Sequence, residues 1–244
     1  MDDEIKQKVF RQAMDVFLIP EIERRKKISK LNPDFKLEKA QIIFSLKSGR
    51  NYVRLNKDVK AVIKCKINKS IKKGETLYEK DVNQIVSINL IEKDSNYGHI
   101  TLFLFKGNWV ISFDFRYNKK LSREHIEASK EFYESAKENL KNKRLRPFFE
   151  NAFASAELSA KSILLSLPDK NILEGTTHRE RISTFKNWAN LGNVKIDFST
   201  TLSKLDSLRS SARYLASDDF KKENADKILI TIKEIIKFAE DSIK

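Results

Sequence analysis

The sequence predicts an α+β protein: an N-terminal helix and a mainly antiparallel β-sheet in the first half, and an all-α helical bundle in the second. Three observations predict this class. Apolar residues alternate with period two from about residue 40 to residue 117, and they recur with helical spacing after residue 120. The charge also changes, because residues 1–120 carry 26 basic and 15 acidic side chains, whereas residues 121–244 carry 22 and 19. We therefore expect a basic domain over 1–120 and a helical bundle over 121–244.

The composition excludes several broad classes of protein. Of 244 residues, 40% are apolar and 10% are aromatic, which is enough to bury a core. No apolar run reaches the roughly 18 residues that span a bilayer, and the acidic N-terminus does not resemble a secretory signal. The single cysteine, Cys65, excludes an intrachain disulfide and a cysteine-cluster zinc site. We expect a cytoplasmic protein whose net charge of +14 favours a polyanionic partner.

The first predicted element is an amphipathic helix. We expect Pro20 to end it, because proline lacks the N–H that the next helical turn requires. The apolar face of this helix comprises Ile5, Val9, Ala13, Val16 and Phe17. A basic cluster follows before Pro33 and comprises Arg24, Arg25, Lys26, Lys27 and Lys30.

Strands follow, because the hydrophobic period falls to two. The predicted strands are 40–47, 52–55, 59–67, 84–91, 99–106 and 109–117. Gly107 and Asn108 are expected to form a two-residue hairpin turn between the last two strands, because glycine accepts the positive φ that such turns need. One face of the final strand is expected to be buried, and it carries Trp109, Ile111, Phe113, Phe115 and Tyr117.

A lysine stripe is predicted on strand 59–67. Lys60, Lys64 and Lys66 share one face, and the following residues add Lys69, Lys72 and Lys73. This stripe fits a surface that follows a phosphate backbone. It equally fits a solvated face whose lysines discourage edge-to-edge aggregation, so both interpretations stay open.

Helices dominate after residue 120. The first is expected to be capped by Ser122, and the second to open at Pro147 and end before Pro168. Further helices are predicted over 177–189, 198–215 and 221–243, which together make a five-helix bundle. Small residues on the second helix permit close approach of a neighbour, and they are Ala152, Ala154, Ser155, Ala156, Ser159 and Ala160.

Three segments of the second half carry a resemblance to a known family. They read FFENAFASAELSAKSILL (148–165), THRERISTFKNW (177–188) and LDSLRSSARYL (205–215). In their order and composition, these segments resemble the HEPN superfamily over roughly residues 121–244. The resemblance implies a helical bundle that pairs as a homodimer and that acts as, or descends from, a metal-independent ribonuclease. The first half of the chain does not match this family.

The resemblance also locates a candidate site. Active HEPN ribonucleases carry an arginine, four to six further residues and a histidine on a late helix; the arginine stabilises phosphorane charge and the imidazole transfers protons. Here the best-matching position has Arg209 with Tyr214 in the histidine place, and tyrosine is a poor base near pH 7 because its reference pKa is about 10. No arginine precedes any of the three histidines at that spacing, and these are His99, His125 and His178.

We therefore expect a non-catalytic HEPN-like homodimer that binds RNA or another polyanion without cofactor, metal or membrane. The alternatives are an endoribonuclease, in which Tyr214 or a residue of the partner chain replaces the imidazole, and a protein–protein adaptor. No Walker, GxGxxG, HExxH, GxSxG or paired-cysteine motif occurs. The candidate nucleic-acid-binding residues are Arg209, Arg213, Lys60, Lys64, Lys66, Lys69, Lys72, Lys73, Arg24 and Arg25.

Several of these side chains also have a purely structural interpretation. Arg209 and Tyr214 fit packing at a dimer seam. Glu157 and Lys161 fit an i,i+4 surface ion pair, and His178 fits an exposed position in a first helical turn. His99 is expected on the wet face or at the core edge, Trp109 and Phe113 in the core, and Asp218 and Asp219 at a helix cap.

Overall fold

The computed structural model describes residues 3–45, 51–168, 177–214 and 223–243. The chain divides into two compact units, which we call unit 1 (Met1–Phe115) and unit 2 (Arg116–Lys244). Unit 1 contains an N-terminal helix and antiparallel sheets, and unit 2 is a helical bundle, so the predicted fold class is confirmed. Within the described ranges, no helix is both long and apolar enough to cross a bilayer.

The N-terminal helix of unit 1 runs from Asp3 to Lys27 and passes through Pro20, so the predicted stop is wrong. Its three segments are α1 (Asp3–Gln12), a π-helical turn (Ala13–Leu18) and α2 (Ile19–Lys27). In the wide turn, the N–H of Ile19 donates to the carbonyl of Met14, five residues back, and Pro20 then occupies the first turn of α2. A proline is tolerated in a first turn because its missing N–H costs least there.

The same wide turn changes which side chains are buried. Leu18 is fully buried, whereas Val16 is 60% exposed and Ile5 is also exposed, contrary to the predicted apolar face. Ala13 keeps its predicted place in the core, and Val9 and Phe17 pack against it. Because an i→i−5 turn adds one residue, the next fully buried position after Ala13 is Leu18, five residues on, and not Phe17.

Two antiparallel sheets complete unit 1. Strands β2 (Asn51–Leu55), β1 (Lys39–Phe44), β5 (Gly98–Phe105) and β6 (Asn108–Asp114) form a four-stranded sheet in that order, and β3 (Ala61–Ile67) pairs with β4 (Val82–Leu90). Ala40, Ile42, Ile100 and Leu102 project from the four-stranded sheet into the core with the helix.

The β5–β6 hairpin differs from its prediction by one residue. Phe105 pairs with Asn108, so the two turn residues are Lys106 and Gly107, with φ of 49° and 77°. A two-residue turn of this type needs positive φ at both positions, and here a lysine accepts one of them. Strand β6 ends at Asp114, earlier than predicted. His99 is buried and its Nδ1 lies 3.0 Å from the hydroxyl of Thr101, so it is not on a wet face.

Unit 2 is built around α4 (Leu145–Leu165), which packs against each of the other described helices of the bundle. Its largest buried side chains are Phe148, Phe149 and Phe153. The helix bounds are α3 (Lys119–Lys141), α4 (Leu145–Leu165), α5 (His178–Asn190), α6 (Ile196–Tyr214) and α7 (Ala225–Ser242).

The predicted starts of several helices are wrong. Ser122 lies inside α3, which begins at Lys119, and its buried hydroxyl donates to the carbonyl of Ser162 at 3.1 Å instead of capping. Pro147 is the third residue of α4. Helix α7 begins at Ala225 after an Asn224 cap, and Asp218 and Asp219 lie outside the described residues.

Small side chains bring α3 and α4 together. The hydroxyl of Ser129 on α3 donates to the carbonyl of Ser155 at 2.7 Å and lies 2.7 Å from the hydroxyl of Ser159. The hydroxyl of Ser155 donates back to the carbonyl of Ser129 at 2.9 Å. All three serines are fully buried, so their hydroxyls satisfy one another where a larger side chain would not fit.

Candidate nucleic-acid site on the helical bundle

One face of α4 forms the floor of the candidate site. Phe153, Glu157 and Lys161 are spaced four residues apart and therefore share this face. Phe153 is buried, and Glu157 is only 7% exposed although it is a carboxylate. A buried carboxylate needs partners, and helix α5 provides them.

The first turn of α5 places a histidine and an arginine on Glu157. The Nδ1 atom of His178 hydrogen-bonds to Glu157 Oε1, and Nε of Arg181 lies 3.4 Å from the same oxygen. A capping box begins α5 and fixes the position of this first turn beside Glu157. In it, the Thr177 hydroxyl accepts from the N–H of Glu180, and the Glu180 carboxylate accepts from the N–H of Thr177.

These contacts extend one prediction and correct another. His178 is exposed in the first turn of α5, as expected, with 56% of its side chain accessible, and its Nδ1 atom is also bound to Glu157. Glu157 makes its ion pairs with α5 and not with Lys161 along its own helix. A carboxylate only accepts hydrogen bonds, so Nδ1 of His178 donates to it.

Helix α6 contributes Arg209. The guanidinium carbon of Arg209 lies 4.2 Å from the ring centroid of Phe153, and the ring of His178 lies 5.9 Å from the same phenyl ring. The Arg209 side chain is 19% exposed, and its Nη2 lies 3.4 Å from a carboxylate oxygen of Asp206. Its Nε is buried and has no hydrogen-bond partner. This guanidinium is therefore held by an aromatic face and only weakly by a carboxylate.

The site carries an excess of positive charge. We call Lys161, Arg181 and Arg209 the cation cluster. Burial, followed by the charge of Arg181, lowers the pKa of Lys161, although Glu157 partly opposes this. Burial, followed by the charge of Lys161, also lowers the pKa of His125, whose buried Nε2 has no hydrogen-bond partner. The charges of Lys161 and Arg181 repel each other, and an anion bound beside them would relieve this repulsion.

The structure does not bring Arg209 and Tyr214 together. Five residues along a helix correspond to a rotation of about 140°, so the two side chains leave α6 in different directions. Tyr214 is 73% exposed at the end of α6. Arg213 is instead paired with α4, since its Nε lies 2.9 Å from a carboxylate oxygen of Glu150.

The candidate cations of unit 1 fall into two groups. Arg24 and Arg25 are engaged with Glu21, whose pKa is lowered to about 2 chiefly by the hydrogen bond from Arg24. Lys69 is also paired, since its Nζ lies 3.1 Å from Asp81. In the described part of the chain, no carboxylate lies within ion-pair distance of the remaining stripe lysines, which are Lys60, Lys64, Lys66, Lys72 and Lys73.

Comparison with known families now identifies unit 2. Residues 122–242 match the HEPN domain family. This segment is a HEPN domain. It contains every residue of the site on α4, α5 and α6, and it confirms the resemblance seen in the sequence. No curated protein and no solved structure is significantly similar to the chain.

The HEPN domain thus holds a site that the sequence only partly predicts. Arg209 was expected there, whereas the joint position of Glu157, His178 and Arg181 was not. The signal for it was the i,i+4 spacing on α4 and the i,i+3 spacing of His178 and Arg181 on α5. Among the residues that the structure describes, no group of three or more His, Cys, Asp or Glu side chains is arranged to hold a metal ion.

Proposed function

We propose that the protein binds RNA, or another polyanion, through the cation cluster of its HEPN domain. The family itself suggests an RNA-related function. The observation that carries the proposal is the pair Arg181 and Arg209: Arg181 contacts Glu157, Arg209 contacts Phe153 one helical turn away on the same face of α4, and less than one-fifth of each side chain is exposed. A phosphate oxygen binds such partly desolvated guanidinium groups more strongly than it binds a fully hydrated lysine.

The unit 1 lysines that lack carboxylate partners add a second, weaker surface for the same ligand in this proposal. Each phosphate that they neutralise releases a counterion and increases the salt dependence of binding. Three expectations from the sequence stay predictions: a separate basic domain over residues 1–120, homodimerisation through the HEPN domain, and a cytoplasmic location. Each is compatible with binding of RNA.

The test measures binding of the full chain to a labelled single-stranded RNA between 50 and 200 mM salt. The affinity is expected to fall steeply with salt. Arg181→Gln is expected to weaken binding and to reduce the slope of log K against log salt by about 0.7, the value for one lost phosphate contact on a single strand.

The matched control is Lys137→Gln, which removes an exposed cation from α3 of the same domain, where its Nζ lies 3.4 Å from Glu134. This change is expected to leave both affinity and slope unaltered. Lys64→Gln with Lys66→Gln measures the share of unit 1. Affinity that is absent at low salt, or equal losses for Arg181→Gln and Lys137→Gln, contradicts the proposal.

A further inference from the structure

We propose that the two-stranded sheet of β3 and β4, the β3–β4 ribbon, binds double-stranded DNA with its outer face in the major groove. The inference goes beyond the proposed function, which uses the lysines of unit 1 only for their charge, and it assigns the ribbon a ligand of its own. The outer face of the ribbon comprises Val62, Lys64 and Lys66 on β3 and Gln84, Ser87 and Asn89 on β4.

The strand register places these six side chains on one face. Residues directly opposite each other in an antiparallel pair project to the same side of the sheet. The register pairs Lys64 with Ser87 and Lys66 with Gln84, and the third pair of the outer face follows the same rule. Ser87 is half-buried and the other five side chains are exposed, so this face is open to a ligand.

The outer face carries positive charge and no acidic side chain. In the described part of the chain, no carboxylate lies within ion-pair distance of Lys64 or Lys66. The two lysines are two residues apart on a strand, which separates them by about 6.6 Å, or roughly two base-pair steps of a duplex. Their ammonium groups can therefore reach phosphates of the same DNA strand.

The side chains beside the lysines are suited to contact bases. Gln84 and Asn89 are exposed amides, and such amides bind adenine through two hydrogen bonds in the major groove. Val62 is exposed as well, and an apolar side chain can contact the methyl group of thymine. A face that only discourages aggregation needs the lysines but has no need of these three residues.

The ribbon is attached to the four-stranded sheet through its own backbone. Gln41 lies on the sheet face opposite the helix, because its neighbours on β1 project into the core with the helix. Its side-chain amide donates to the carbonyl of Lys60, just before β3, at 3.0 Å. The Ser112 hydroxyl donates to the carbonyl of Ile88 on β4 at 3.1 Å. These bonds fix the ribbon in place without using its outer face, which lowers the cost of ordering it on a ligand.

The shape of the ribbon fits the major groove of B-form DNA. Its strands are about 4.8 Å apart, and a groove about 12 Å wide admits a two-stranded ribbon. Strand β4 has one extra residue at Asn83 and another at Val86 relative to β3, and such bulges increase the right-handed twist. Double-stranded RNA has a deep, narrow major groove that side chains cannot read, so the shape selects DNA.

The experiment titrates the full chain with a labelled DNA duplex of about two helical turns and with an RNA duplex of the same sequence, between 50 and 200 mM salt. The DNA duplex is expected to bind about tenfold more tightly than the RNA duplex, because one lost bidentate base contact costs about 1–3 kcal/mol. Methyl green, which occupies the major groove, is expected to compete with the protein, whereas netropsin, which occupies the minor groove, is not.

Two ribbon variants separate phosphate contacts from base contacts. Lys64→Gln with Lys66→Gln is expected to weaken binding to the DNA duplex and to reduce the slope of log K against log salt by about 1.8, or 0.9 for each phosphate contact. Gln84→Ala is expected to weaken binding about tenfold and to leave the slope unchanged, because its amide contacts a base.

The matched control is Lys27→Gln with Lys30→Gln. These two lysines are exposed at the end of α2 and just after it, so the variant removes the same charge from unit 1 outside the ribbon. It is expected to change affinity for the DNA duplex less than about twofold, because solvent and salt screen charges beyond about 10 Å. Circular dichroism confirms that the variants are folded, and competition by the two dyes is decided with wild type alone.

The outcomes separate this inference from RNA binding by the cation cluster. Equal affinity for the two duplexes, competition by netropsin but not by methyl green, or equal losses for the two double-lysine variants overturns it. Absence of binding to the DNA duplex at low salt also overturns it, and the lysines are then a solvated face. Each of these results leaves the proposed function standing, because that proposal is tested with Arg181→Gln on single-stranded RNA.

Discussion

Arg209 is expected to contribute to ligand binding far more than to stability. The informative substitution is Arg209→Met, which keeps an unbranched apolar side chain against Phe153 and removes the guanidinium. A methionine also packs well on an aromatic ring. Comparison of this variant with wild type therefore isolates the charge of Arg209 from its packing.

The structure sets the size of the expected effect. The guanidinium lies 4.2 Å from the Phe153 centroid, which stabilises the fold by about 1–2 kcal/mol at a partly desolvated site. The buried Nε without a partner costs about 1–3 kcal/mol. The contact with Asp206 at 3.4 Å adds only about 0.3–0.5 kcal/mol. These contributions nearly cancel, so Arg209→Met is expected to change the free energy of unfolding by less than about 1 kcal/mol.

Urea unfolding of the full chain, monitored by circular dichroism, measures the change in the free energy of unfolding. Titration with RNA at fixed salt measures the change in affinity. Affinity is expected to fall about tenfold, since one charge-assisted contact is worth about 1.4 kcal/mol. Arg209→Ala, which also removes the apolar stem, is expected to be less stable than Arg209→Met. A loss of more than about 3 kcal/mol in the Met variant, or unchanged RNA affinity, would refute the reasoning.

Two further predictions concern stability. Because the hydrogen bond from Arg24 lowers the pKa of Glu21 from its ordinary value of 4.5 to about 2, this carboxylate stabilises the fold fully above pH 4.5, and the contribution is lost as the pH falls towards 2. Glu21→Gln is expected to cost about 1 kcal/mol at pH 7 after allowance for solvent screening and nothing at pH 2, which urea unfolding at the two pH values checks. Ser129→Ala removes two buried hydroxyl contacts of 2.7 Å and is expected to cost about 1–2 kcal/mol; an unchanged melting temperature would contradict this.

The fold was largely predictable because hydrophobic periodicity reports which side chains face a core. The strands of unit 1 and the helices of unit 2 follow directly from that signal. Two of the errors lie where the backbone departs from regular geometry. Sequence rules predict that a proline ends a helix, because they assume i→i−4 bonding. The predicted hairpin turn lies one residue too late, because Lys106 accepts a positive φ that lysine adopts only rarely.

The site was predictable only in part. The HEPN resemblance predicts Arg209 as a site residue, because Arg209 belongs to a local sequence pattern on a single helix. The same pattern gave Tyr214, which helix geometry turns away from Arg209. Glu157 and His178 are 21 residues apart and on different helices, so only tertiary packing brings them together. The i,i+4 spacing along one helix predicts an ion pair between Glu157 and Lys161 instead, because that spacing reports only on neighbours within the same helix.

The wide turn between α1 and α2 fixes the direction of everything that follows it. Arg25 leaves α2 at the angle that lets its guanidinium donate to the carbonyl of Val53 on β2 at 2.6 Å. Ordinary winding of Ala13–Leu18 at the same chain length would rotate α2 by about 100° relative to α1, because the wide turn takes up one extra residue. The arginine would then face away from the sheet edge, so the winding of this short segment matters more than the identity of its exposed residues.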